Sequence, residues 1–332
     1  MNLSARRQSV LHGAGFIRAE KRTRTIRRIT PRVMTGSTTD KVFRTWVALP
    51  LACLLSGCLP IDGGFLNPAG PVAAAQRELF FWVIGLTLIV VIPVLVLTPW
   101  LLWRYRWRQR QAAYQPRWDF SWPVDCMTWG VPLLIVLALG TLTWQRSHQL
   151  DPYRPLASTL PPLEVQVIAL DWKWLFIYPQ QGIATLNQLV IPSGRPVHLS
   201  LTSATVMQSL LIGQLSGQIY AMAGMRTQQY LQADKEGIYG GRNTQFNGVG
   251  FQQQSVEVRA VSPQAFAQWL SEARQSPDAL DCARYRRLGE SSIAPAHTWR
   301  MAEPDLFDGV INAFRMPATP ACGSPAQEPR HD

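Results

Sequence analysis

Leu163 to Tyr178 read LEVQVIALDWKWLFIY. Apolar residues alternate with polar ones through Leu163, Val165 and Val167, and aromatic residues recur at Trp172, Trp174, Phe176 and Tyr178. A period of two sends alternate side chains to one face, which is the pattern of half-buried β-structure. Val197 to Thr202 (VHLSLT) and Ser255 to Val261 (SVEVRAV) repeat it. Pro-Ser-Gly, Gly-Gly and Asn-Gly turn signals separate these runs. Roughly 100 residues of short strands punctuated by turns predict a β-sandwich. Ala265 to Ala273 beyond it reads as helix.

The region before the sandwich has a different solvent. Leu79 to Trp103 is 25 residues without a charge, and Val124 to Trp144 is 21 residues with one acid, Asp125. At about 1.5 Å per residue both cross a hydrocarbon core of about 30 Å. Pro93 and Pro99 predict bends in the first span, because each removes a backbone donor. Arg104, Arg106, Arg108, Arg110 and Arg117 fill the connection, against Arg77, Arg146 and Arg154 on the outer flanks. That asymmetry places the connection in the cytoplasm and both outer ends of the hairpin in the periplasm. Further upstream, Lys41 and Arg44 precede an apolar run from Trp46 to Leu55, too short to span a bilayer. Leu55-Ser56-Gly57-Cys58 then matches a lipobox, with Cys58 as the lipidated residue. A lipidated Cys58 outside the membrane agrees with the orientation read from the arginines. Translation from Met1 and translation from Met34 both remain open.

Charge and cysteines narrow the classes. The net charge is +11. Residues 1–33 hold nine Lys or Arg against Glu20, whereas the chain from Cys58 onward holds 21 basic and 19 acidic residues, a net of +2. The excess is N-terminal, and no nucleic-acid motif accompanies it, so nucleic acid is not an expected partner. Cys282 and Cys322 are the cysteines left to the exported domain, either as a disulfide in an oxidising compartment or as two thiols.

Four longer blocks carry a family resemblance: Asp171 to Thr185 (DWKWLFIYPQQGIAT), Gln218 to Met225 (QIYAMAGM), Gly237 to Val256 (GIYGGRNTQFNGVGFQQQSV) and Pro304 to Phe314 (PDLFDGVINAF). From about Leu55 to about Phe314 the chain resembles subunit II of the haem–copper respiratory oxidases. In members that oxidise cytochrome c, the third block reads G-x-F-x-G-Q-C-S-E-I-C-G-x-N-H-S-F-M and holds the dinuclear copper centre CuA. Laid on it without a gap, Gly237, Tyr239, Gly241 and Gly248 keep the frame. The two thiolates fall on Asn243 and Asn247, the carbonyl-donating Glu on Gln245, the imidazole on Phe251 and the thioether on Gln254. The upstream imidazole falls on Gln208. Soft thiolate and imidazole donors suit an electron-transfer copper site, and amides and a phenyl ring do not. The chain therefore resembles the quinol-oxidase branch that lacks CuA, of cytochrome bo ubiquinol oxidase type.

The resemblance implies a two-helix transmembrane hairpin, an all-β cupredoxin-like Greek-key sandwich and a short C-terminal helical extension. The expected divisions are 1–57 extension and signal, 58–78 periplasmic segment, 79–144 hairpin, 145–162 linker, 163–262 cupredoxin-like domain, 263–316 helical extension and 317–332 disordered tail. It implies a subunit of a proton-translocating ubiquinol oxidase in the bacterial inner membrane. Subunit I and other subunits, membrane lipid and a quinol bound through subunit I are the expected partners. Haems and CuB are expected in subunit I, and no cofactor in this chain.

Three groups of residues have competing readings. The aromatic run at Trp172, Trp174, Phe176 and Tyr178 is read as a packing face against subunit I rather than as an electron path. Met207, Met222 and Met225 are read as fillers, since no His or Cys accompanies them; His12, His148, His198, His297 and His331 show no ligand spacing. Asp125 matches a Glu that lies, in this family, near the entrance of a proton channel of subunit I. It is either a proton-collecting carboxylate or a group that caps its helix and favours the dipole. Two rivals to the whole assignment stand: a cytochrome c oxidase subunit with a degenerate copper site, and a free-standing lipoprotein with a cupredoxin-like binding domain.

Overall fold

A computed structural model describes residues 64–106 and 119–315. The signal segment, Cys58, most of the arginine-rich connection and the tail from 317 lie outside these residues. Two long helices come first, α1 (Pro71–Arg104) and α2 (Trp122–Gln149). Both are long and apolar enough to cross a membrane. Gly70 and Ser121 are extended at the N-caps, and a proline follows in the first turn of each helix, where its missing N–H costs nothing. Helix α1 begins eight residues before the uncharged run and continues as helix through Pro93 and Pro99. Helix α2 extends five residues beyond Trp144. Arg146 and Glu78 tie the two helices together at 2.9 Å.

The sandwich is built from β1 (Leu163–Leu170), β2 (Lys173–Tyr178), β3 (Ile183–Leu186), β4 (Gln188–Pro192), β5 (Val197–Ser203) and β6 (Gln208–Leu211). It continues through β7 (Gln218–Ala221), β8 (Thr227–Leu231), β9 (Gly237–Asn243) and β10 (Ser255–Val261). A C-terminal extension follows, α3 (Pro263–Arg274), β11 (Ala279–Leu280), α4 (Cys282–Gly289), β12 (His297–Met301) and α5 (Leu306–Arg315). One sheet has the order β11-β12-β3-β2-β1-β5-β8 and the other β4-β10-β9-β6-β7. Strand β1 lies parallel to β5 and β4 parallel to β10, among otherwise mainly antiparallel neighbours. Only crossover connections between the sheets make such pairs, as a Greek key does.

Two apolar cores share the first sheet. Leu163, Val165, Val167, Trp174, Phe176 and Tyr178 face the second sheet, with Phe266 of α3 closing the edge. Tyr178 Oη donates to Val190 O and accepts from Val190 N, both at 2.9 Å, so its hydroxyl is satisfied in the core. Burial raises the pKa of this phenol above its ordinary value. Ile168, Leu170, Leu175 and Ile177 point the other way, against Tyr285, Trp299, Phe307, Val310 and Ile311 of the extension.

The observed packing differs from three expectations. The extension is not purely helical, because β11 and β12 lengthen the first sheet at β3. The aromatic face of β2 fills the sandwich's own interior rather than a contact with subunit I: Trp174, Phe176 and Tyr178 are completely buried within this chain. Trp172 leaves the face altogether. It has φ 63° and lies in the β1–β2 turn, a left-handed conformation that reverses the chain at a position where two strands replace one.

The hairpin is joined to the sandwich by backbone. Ala69 N donates to Gln214 O, and Asp234 N to Ala69 O, each at 2.8 Å. A Cβ on Gly70 would lie 2.0 Å from Gln232 O, so this close approach requires glycine. On the other side of the hairpin, Tyr230 N donates to Pro152 O at 3.0 Å and fixes the linker to β8.

Candidate functional site

The fold brings four of the six positions singled out by sequence into one cluster. Gln208 opens β6, Asn243 closes β9, Asn247 sits in the β9–β10 loop and Gln254 immediately precedes β10. Gln254 is the hub. Its Nε2 donates to Gln208 Oε1 at 2.5 Å. Its Oε1 accepts from Asn243 Nδ2 at 3.0 Å and from Asn247 Nδ2 at 2.8 Å. Gln208 Nε2 donates in turn to Leu170 O at 3.1 Å and to Thr205 Oγ1 at 3.2 Å. Asn243 Oδ1 accepts from the backbone N–H groups of Ser209 and Gln245, each at 3.0 Å. Gln208, Asn243 and Gln254 are buried.

The other two positions stand apart. Gln245 contributes its backbone N–H to the cluster and leaves its side chain half-buried. Phe251 begins a 3-10 turn (Phe251–Gln253), with its ring 5.7 Å from that of Phe246.

Trp172 roofs the loop. Its Nε1 donates to Asn247 O at 3.3 Å. A Cβ on Gly250 would lie 2.1 Å from Trp172 Cδ2, so the indole lies flush against bare backbone. Sequence reading assigned Trp172 to a strand face and missed this role. The signal was the Gly248-Val249-Gly250 pair of glycines, which leave room for an aromatic ring. Lys173, also missed, is fully buried and donates through Nζ to Glu290 O at 2.7 Å and Ser292 Oγ at 2.8 Å. Desolvation pulls its pKa below the ordinary lysine value, and the negative charges of Asp171 and Glu290 oppose that.

The chemistry of the cluster follows from its donor set. Amides do not titrate, so the cluster neither holds charge nor passes protons as an acid or base. Their oxygens are hard and mostly committed to N–H donors, and no thiolate or imidazole is among them. Such a set does not fit a dinuclear copper centre. Asn247 Oδ1 is buried without a hydrogen-bond partner among the described residues. Among the described residues no group of three or more His, Cys, Asp or Glu is placed to hold a metal ion. Met207 and Met225 are exposed rather than core fillers.

Asp125 lies one turn into α2, half-buried. Its N–H donates to Ser121 O at 2.9 Å. Ser121 is the N-cap residue, and Asp125 is the acidic residue of the helix's first turn. Cys282 is disulfide-bonded, and Cys322 lies outside the described residues. Cys126 is a free thiol.

A sandwich with two apolar helices before it and a loop framed like a copper site defines a class, the second subunits of the respiratory oxidases. Residues 163–261 match the family model of the cytochrome c oxidase subunit II periplasmic domain. The chain is 42% identical over 262 residues to a cytochrome bo(3) ubiquinol oxidase subunit 2 of Pseudomonas putida, covering 79% of this chain and 82% of that one. It is 41% identical to a ubiquinol oxidase subunit 2 of Acetobacter aceti, covering 80% and 86%. A quinol oxidase subunit 2 of Bacillus subtilis is 38% identical, covering 72% and 75%. Among solved structures, the periplasmic domain of subunit II of the Bradyrhizobium japonicum cytochrome oxidase is 20% identical, with TM-score 0.33, covering 36% of this chain and 94% of that one. The chain belongs to the quinol oxidase subunit 2 family, and is a membrane-protein subunit of an oxidoreductase complex.

Proposed function

We propose that this chain is the subunit II of a ubiquinol oxidase that takes no part in electron transfer itself. The complex oxidises a quinol, reduces oxygen to water and translocates protons. Haems and CuB reside in subunit I, and this chain carries no redox centre. The observation that supports this reading most is the amide cluster, in which Gln208, Asn243, Asn247 and Gln254 bond to each other where a copper ligand set would stand. Electrons entering through this domain would need a soft-ligand site.

In this reading the hairpin packs on subunit I in the bacterial inner membrane. The sandwich lies in the periplasm, and Cys58 carries the lipid anchor. Asp125, an ionisable group in a membrane helix, collects protons at the cytoplasmic side. Its place in the first turn of the helix suits an interaction with the helix dipole as well. Asp125→Asn is expected to slow quinol-driven turnover and proton uptake together; unchanged rates would leave the residue only its interaction with the helix dipole.

The deciding experiment is oxygen consumption by the complex purified through this subunit, supplied in parallel with a ubiquinol analogue and with reduced cytochrome c. Turnover with the quinol alone is the expected result. Turnover with cytochrome c would place electron entry in this domain and overturn the proposal.

A further inference from the structure

The hairpin and the sandwich meet around a cleft of about 420 Å³, within the roughly 300–1,000 Å³ of small-molecule sites. Gln76 of α1, Gln149 of α2, Asp151 and Arg154 of the linker, and Gln229 and Tyr230 of β8 line it. Arg154 N donates to Asp151 O at 3.0 Å, so one turn carries an anion and a cation to the rim. Asp151 Oδ1 accepts from Tyr153 N at 2.9 Å, and Arg154 Nη1 reaches His148 O at 3.4 Å. Among the described residues neither charge belongs to an ion pair. Beneath them Gln229 is 3% exposed. Its Nε2 donates to Gly217 O at 3.0 Å, while its Oε1 is buried without a partner. An unpaired buried acceptor is unfavourable, and a donor brought close to it relieves that cost.

The depth of the cleft is set by the helices. The uncharged run of α1 starts at Leu79, and Gln76 lies about 4.5 Å above it along the axis. Gln149 lies about 4.5 Å above Arg146, the partner of Glu78. The cleft is therefore at the level of lipid headgroups. A second groove shares Pro71 with it and descends along α1 past Ala74 and the charged side chains Arg77 and Glu78 to Phe81 and Trp82, where the apolar run begins. Opposite charges above and an aromatic-lined groove below match a molecule with a zwitterionic head and an acyl tail.

We infer that the cleft and groove together bind one phosphatidylethanolamine-type phospholipid. Its ammonium group faces Asp151 and the amide lining, its phosphate faces Arg154, and one acyl chain follows Phe81 and Trp82. The inference rests on the reading of the hairpin as a membrane span with residues 71 and 149 at its outer end.

The test is native mass spectrometry of the intact oxidase, stripped of lipid in detergent and titrated with dioleoyl phosphatidylethanolamine, dioleoyl phosphatidylglycerol or free phosphoethanolamine. Phosphatidylethanolamine is expected to bind at one site about tenfold more tightly than phosphatidylglycerol, and to weaken by about tenfold in Asp151→Ala/Arg154→Ala, as loss of a charge-assisted hydrogen bond implies. Free phosphoethanolamine is expected not to bind, because it lacks the chain. Equal affinity for both lipids would overturn the headgroup assignment. Equal affinity of both proteins for phosphatidylethanolamine would overturn the site, as would no binding to either, the outcome if a partner subunit fills the groove. In the unaltered complex, a photoactivatable phosphatidylethanolamine is expected to label residues 71–82 or 149–157; labelling elsewhere alone would reject the site independently of any variant. Alkaline carbonate extraction of the membranes tests the hairpin separately, since release of the chain would refute the membrane reading rather than the cleft.

Discussion

Gln254 Nε2 lies 2.5 Å from Gln208 Oε1, joining residues 46 positions apart at the centre of a buried amide cluster. The same Gln254 accepts from Asn243 and Asn247 through its other amide atom. One side chain thus pins the β9–β10 loop to β6 and, through Gln208, to the end of β1. A metal cluster would tie these segments together by coordination; here neutral hydrogen bonds do so.

Gln254→Leu is expected to destabilise the subunit by roughly 2–4 kcal/mol, since it leaves Asn243 Nδ2, Asn247 Nδ2 and Gln208 Oε1 buried without their partner. Heat-induced release of this subunit from the purified oxidase gives the readout. The double variant Gln208→Leu/Gln254→Leu is expected to cost less than the sum of the single changes. Strict additivity would mean that the two amides are not coupled.

The roof of the loop makes a steric prediction. Gly250 has φ −86°, a conformation open to any residue, so its requirement comes from space alone. Gly250→Ala drives a methyl into the Trp172 indole and is expected to cost about 1–3 kcal/mol, the usual range for overpacking. Combining it with Trp172→Ala removes the clash, and the pair is expected to be less destabilised than the two single effects combined. Unfolding midpoints of the three variants check this.

Lys173 gives a pH dependence with a defined sign. Its folded pKa lies below the lysine value of 10.5, so at pH values between the two the unfolded chain holds more protons than the folded one. Stability contributed by this group therefore rises with pH in that window. Tyr178 and Tyr285, whose phenol pKa values burial raises, act in the opposite direction above about pH 10. Unfolding free energies measured from pH 8 to pH 10 are expected to show a positive term that Lys173→Met removes. An unchanged slope in the variant would assign the term to another group.

The frame around the cluster predicts regained metal binding. Placing His at Gln208 and Phe251, Cys at Asn243 and Asn247, Glu at Gln245 and Met at Gln254 is expected to produce copper uptake, read by metal analysis and the visible spectrum. Four of these positions already converge in space. Absence of copper in a folded sixfold variant would show that the six positions do not superimpose on the ligand set.

The architecture was largely legible in the sequence because it is written in local periodicity. Uncharged runs of helical length gave the hairpin and alternation gave β1, β5 and β10, while the loop came from the family resemblance carried by Gly237, Tyr239, Gly241 and Gly248. The six changed positions were legible only through the family resemblance, which supplies the ligand set they are compared with. Tertiary structure alone decided which of them meet: Gln208, Asn243, Asn247 and Gln254 bond to one another, whereas Gln245 and Phe251 turn aside. It also decided that Trp172 folds back over Gly250 and that β2 is buried on both faces. The second face is signalled in β2 by Leu175 and Ile177, which make Trp174 to Tyr178 continuously apolar, but what covers it is not, because the cover comes from residues 279–315, more than a hundred positions away. Periodicity fixes which way a side chain points relative to its own strand or helix; what it meets there is set by the packing of distant elements.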